Sequence, residues 1–189
     1  MKNEEALDQI AYIRQLIQQT KLRAADGSPY FLLWGVLWAA GYLATAMVAV
    51  SALSVVWGVL GAVGSIASAV ISIRIKRRAQ STPSLLRKIG WMSGALVITA
   101  VIGFALLMSQ TTNLVIVSAY WPIQAGAIYV AVGIFLGREM IQIGSWLILT
   151  ALVSLWLPAS AQAYFLAATA GGGLFLTGIL LRRRVTRVG

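Results

Sequence analysis

Ser118, Gln124 and Tyr129 fall in one apolar stretch around Pro122, and chemistry would begin there if it begins inside a span. Proline has no N–H, so Pro122 in a helix frees the carbonyl four residues earlier, that of Ser118, and favours a kink. A freed carbonyl, an amide and a phenol could line a small polar pocket for a neutral solute. The same three groups could instead be satisfied by hydrogen bonds to neighbouring helices. No Asp, Glu, Lys or Arg stands in this stretch or in the other long apolar stretches, so no proton relay, coupling carboxylate or ion ring is offered. Coordination of Na⁺ by backbone carbonyls stays open as an alternative. Outside the apolar stretches, Arg74, Lys76, Arg77, Arg78, Arg87 and Lys88 form the densest run of charge, around Pro83. Such a run suits anionic lipid headgroups or an acidic protein partner, and it also serves simply to orient a membrane protein.

The rest of the catalytic repertoire is thin. The chain has no Cys and no His, which removes thiolate nucleophiles, disulfides, imidazole bases and the usual zinc and iron–sulfur ligand sets. Its only carboxylates are Glu4, Glu5, Asp8, Asp26 and Glu139, and Glu139 follows Arg138 as an interfacial pair of opposite charges. There is no GxxxxGK[ST], HExxH or GxSxG. Ser93 in Gly90-Trp91-Met92-Ser93-Gly94 has the wrong spacing for a nucleophile turn. The reading is no enzyme, no metal and no cofactor. Nucleic acid is not an expected partner, since no recognition module accompanies the basic residues.

The elements that would position these residues follow from composition. Of 189 residues 59% are hydrophobic and 11% charged. A soluble domain is about 45–50% apolar and about 25% charged, so the chain predicts an all-α polytopic membrane bundle. A helix needs about 20 apolar residues to cross a core of roughly 30 Å. Six spans are expected, at about 30–50, 53–73, 90–108, 114–136, 141–157 and 161–181, arranged as three hairpins. Residues 1–29 precede them as a cytoplasmic amphipathic helix and linker, and 182–189 follow as a basic tail. The first 29 residues have no apolar h-region, so a cleavable signal peptide is not expected.

Charge tests the count. The net charge is +10, with 15 Lys and Arg against 5 Asp and Glu. The cations fall before the first span, between the second and third, between the fourth and fifth, and after the sixth. Six spans place all of them on one side, which the positive-inside rule makes cytoplasmic, with both termini inside. Five spans would set the C-terminal arginines against the others. Aromatic residues form the expected belts, with Trp57, Tyr120, Trp121, Trp156 and Tyr164 near outer ends and Tyr30, Phe31, Trp34, Trp91 and Trp146 near inner ends. Small residues then mark where helices could approach: Gly61 and Ser65 in the second span, Gly133 and Gly137 at the end of the fourth, Gly171 and Gly172 in the sixth. Gly90 and Gly94 form a further GxxxG, and residues 171–173 could also mark a locally unwound stretch.

In the N-terminal segment Ala6, Ile10, Ile13 and Ile17 recur at helical spacing on one stripe. The acidic Glu4, Glu5 and Asp8 start it and Lys21 and Arg23 follow it, an order that complements the helix dipole. The run ALDQIAYIRQLI at 6–17, followed by Gly35 and Gly41, resembles the start of a group of small bacterial multi-span membrane proteins. Members pair an Ile-Arg-containing N-terminal helix with about six spans. The resemblance covers about the first quarter of the chain. Gln18-Gln19 departs from the Glu-Arg pair of that group, which weakens the match at the end of the helix. The resemblance implies an architecture and a bacterial setting and brings no activity with it. Together these observations point to a non-enzymatic accessory, sensory or regulatory subunit of the cytoplasmic membrane, working through its cytoplasmic face. Anionic lipid, a protein partner or a second copy would be its contacts. The alternative is a transporter or channel for a small neutral or apolar solute.

Overall fold

A computed structural model describes residues 27–78, 83–111 and 113–186. Every element among them is helical: α1 Ser28–Met47, α2 Val50–Arg78, α3 Pro83–Gln110, α4 Leu114–Leu136, α5 Arg138–Ser154, α6 Ala159–Leu166, a π-helical turn Ala167–Gly171, and α7 Gly172–Thr186. The expected N-terminal helix lies outside the described residues. Helices suit an apolar solvent because each satisfies its own backbone polar groups. Five stretches are long and apolar enough to cross a membrane: Ser28–Met47, Val50–Arg74, Gly90–Gln110, Leu114–Phe135 and the continuous Ala159–Arg183. The fifth expected span corresponds to α5, which has only 17 residues, or about 25 Å at 1.5 Å per residue.

Local chemistry sets the element ends. Asn113 caps α4, its side chain accepting the Val115 N–H at 3.0 Å. Gly137 takes φ 121°, a conformation that disfavours any side chain, and lets α5 begin at the next residue. Glu139 lies in the first turn of α5, where a negative charge suits the helix dipole. Pro158, extended at ψ 147°, immediately precedes α6.

Helices that follow one another across a turn run antiparallel, as do α1 and α7, and close contacts give the register. Gly126 and Gly133 of α4 meet Gly144 and Ile141 of α5. Gly35 of α1 meets Phe175 of α7, and Gly178 meets Leu32. Gly41 and Gly64 join α1 to α2 through Trp57 and Trp34. The Tyr120 hydroxyl of α4 donates to the Ala100 carbonyl of α3 at 2.7 Å. In this register Arg74, Arg138, Arg182 and Arg183 lie toward the same end of the bundle as Ser28. The core between α1, α5, α6 and α7 contains Phe31, Trp38, Tyr42, Leu147, Leu166, Ala170 and Leu174. Burial is uneven: 39% of the Ala159–Arg183 span is buried, but only 6% of the α2 and α3 spans.

Candidate functional site

The intramembrane polar groups resolve into separate hydrogen bonds. Pro122, fully buried, withholds the N–H that would bond the Ser118 carbonyl. The Tyr42 hydroxyl of α1 donates to that carbonyl at 2.9 Å. Tyr42 is itself held edge-on by Trp38 and Trp57, with ring centroids at 6.2 and 5.2 Å. The Trp57 indole N–H donates to Thr45 Oγ1 at 3.1 Å, and the Thr45 hydroxyl donates to the Gly41 carbonyl. Tyr129 packs its ring against Phe31 at 5.5 Å. Ser118 and Tyr129 therefore both engage α1, but they are eleven residues, about 16 Å, apart along α4. Gln124 is half-buried and lies about 120° around the helix from Ser118 and about 140° from Tyr129. The three do not line one pocket.

The more deeply buried polar set lies at the opposite end from the arginines. Gln162 is 2% exposed, Ser154 0% and Thr150 3%. Gln162 Nε2 donates to the Val115 carbonyl at 2.8 Å and to Ser154 Oγ at 3.3 Å, tying the start of α6 to α4 and α5. The Ser154 and Thr150 hydroxyls donate to carbonyls one turn back, those of Ala151 and Leu147. At the other end Ser28 donates to the Gly178 carbonyl at 2.8 Å. No buried side-chain N or O among the described residues lacks a partner. Sequence reasoning passed over Gln162. Its signal was an amide four residues after Pro158, at the mouth of an otherwise apolar span.

The small residues divide sharply. A Cβ at Gly133 would lie 2.6 Å from Ile141 Cγ1, and one at Gly171 would lie 2.6 Å from the Ala39 nitrogen. Gly137 serves the α4–α5 turn through its positive φ. Gly61 has open space around it, Ser65 is exposed, and Gly172 nears only the Ala167 carbonyl of the preceding turn. Gly90 and Gly94 likewise face open space. Packing positions outside the expected set include Gly35, Gly126, Gly144 and Gly178. Each would place a Cβ within 2.5–2.7 Å of a neighbouring helix. Trp146 sits eight residues into α5, at mid-height rather than at the inner end. Its indole N–H donates to the Thr169 carbonyl within the π-helical turn at 3.0 Å.

At the arginine end Arg74 is exposed. Lys76, Arg77 and Arg78 lie on α2, and Arg87 and Lys88 on α3; their side chains lie outside the described residues. Two grooves flank α7 at this end. One, of about 450 Å³, runs between α1 and α7 and ends at Arg182 and Arg183. The other, of about 300 Å³, lies between α5 and α7, with Glu139, Gln142, Trp146 and Thr177 among its walls. Comparison with protein-family models, curated proteins and solved structures finds no match for this chain.

Proposed function

We propose that the chain crosses the cytoplasmic membrane six times, with both termini in the cytoplasm. It acts as a non-enzymatic accessory, sensory or regulatory subunit that works by contact. Three features support six crossings. The α4–α5 hairpin pairs over about the first two-thirds of α5, from Gly133 against Ile141 to Gly126 against Ile148. Gln162, at the start of α6, hydrogen-bonds to Val115 at the start of α4. The cations then share one side, as the positive-inside rule asks.

The observation that carries the contact reading is the distribution of burial. Side chains such as Tyr42, Leu147, Leu166 and Leu174 fill the centre, each under 3% exposed. The α2 and α3 spans are scarcely covered by the other described residues. A filled centre favours contact over carriage, and two uncovered helices offer surface to lipid, to a companion protein or to a second copy. The basic run from Arg74 to Lys88 joins these two helices at the cytoplasmic surface.

Photo-crosslinking amino acids placed at Val59 and Val101, 56% and 53% exposed, test this in native membranes. One discrete protein adduct from both positions is expected. Lipid adducts alone, together with solute flux through purified protein in vesicles, would overturn the reading in favour of transport.

A further inference from the structure

The groove between α1 and α7 has the form of a lipid site. Its walls are two short stripes. Leu32 and Val36 are one turn apart on α1. Phe175, Ile179 and Arg182 follow at spacings of four and three on α7, with Arg183 beside the last. Residues so spaced share a helix face. The α7 stripe climbs about 10 Å from Phe175 to Arg182. A ligand lying in it would therefore meet apolar side chains along most of its length and two guanidiniums at one end. The floor is closed because the backbones touch. A Cβ at Gly35 would lie 2.5 Å from the Phe175 nitrogen, and one at Gly178 would lie 2.7 Å from Leu32 Cγ. Ser28 pins the same crossing through its bond to the Gly178 carbonyl. The walls are thus fixed relative to each other.

We infer that this groove binds one anionic glycerophospholipid. Its phosphate would be held by Arg182 and Arg183, and one acyl chain would lie along Leu32, Val36, Phe175 and Ile179. Charge complementarity and orientation both select this occupant. The apolar walls run along the helices and the arginines sit at the end where a headgroup would lie. Arginine meets phosphate oxygens through several N–H donors at once. A diffuse basic surface would attract anionic lipid too, but without a seat for a tail. The inference rests on the membrane-embedded part of the reading above and is independent of any regulatory role.

Native mass spectrometry of the intact protein, released from nanodiscs of mixed zwitterionic and anionic phospholipid, provides the test. Wild type is expected to retain one anionic lipid. R182Q/R183Q should lower that retention at least tenfold. Val36→Trp should lower it comparably by filling the groove while leaving every charge in place. Leu176→Trp, at an exposed α7 position outside the groove, should bind like wild type. Glycerol phosphate, which offers the phosphate without tails, should not compete. Equal retention by Val36→Trp and wild type, no loss in R182Q/R183Q, or competition by glycerol phosphate would each overturn the proposal. Each variant's thermal unfolding in detergent separates loss of the site from loss of the fold. Failure here would leave the crosslinking experiment on α2 and α3 unaffected.

Discussion

At the scale of single residues, Pro122 and Tyr42 form a unit whose parts lie eighty positions apart. The proline removes one backbone donor, and the tyrosine of another helix supplies its replacement at 2.9 Å. Tyr42→Phe should therefore destabilise the protein. The expected loss is about 0.6 kcal/mol and at most about 1.7, the range measured for hydrogen bonds between helices in a membrane. Replacing Pro122 by Ala restores an N–H to α4, so the cost of Tyr42→Phe should shrink in the Pro122→Ala background. A double-mutant cycle on unfolding in detergent measures that coupling. Additive effects would show that the tyrosine does not stand in for the missing donor. Half of this unit was legible in sequence, because proline chemistry alone identifies Ser118 as the freed carbonyl. The donor was not legible, since nothing local to α4 says which helix lies beside it. Gln162 was hidden for a related reason: an amide near a span end looks the same whether it meets water or another helix.

At the scale of helices, the all-helical, membrane-suited character was plain from composition and from the spacing of charge. Which glycines bring helices together was not. A GxxxG motif states that a backbone can approach, but rotation about the helix axis decides whether anything is there. Gly94 belongs to such a motif and faces open space, whereas Gly126 lies under the Gly144 carbonyl at a Cβ distance of 2.6 Å. Gly126→Val should accordingly cost about 1–3 kcal/mol as an overpacking substitution. Gly94→Val should stay within about 0.5 kcal/mol in the isolated protein, as at surface sites. Thermal unfolding in detergent compares the two directly. If Gly94 instead lies against a companion, its substitution would be silent in the purified chain and would weaken the α3 crosslink in membranes.

At the scale of the whole molecule, the short α5 decides the topology. The absence of cysteine makes the chain ready for single-cysteine labelling. Ser160→Cys marks the first turn of α6, and Glu139→Cys marks the start of α5. With six crossings, a membrane-impermeant thiol reagent should label Ser160→Cys in intact cells and Glu139→Cys only after permeabilisation. Labelling of both from the same side would mean that α5 does not cross. The π-helical turn at Ala167–Gly171 has an effect of similar reach. Relative to an α-helix it accommodates one extra residue, and one residue amounts to about 100° of rotation and 1.5 Å of rise. It therefore acts as a phase offset between α6, indexed by Gln162 to the start of α4, and α7, indexed by Phe175 and Gly178 to α1. Deleting the exposed Ala168 should close the turn into a plain α-helix. Every position of α7 should then keep its face toward α1, with Ser28 still bonded to Gly178, whereas closing the turn without the deletion would swing the arginine-tipped stripe away from Leu32 and Val36 by about a quarter revolution.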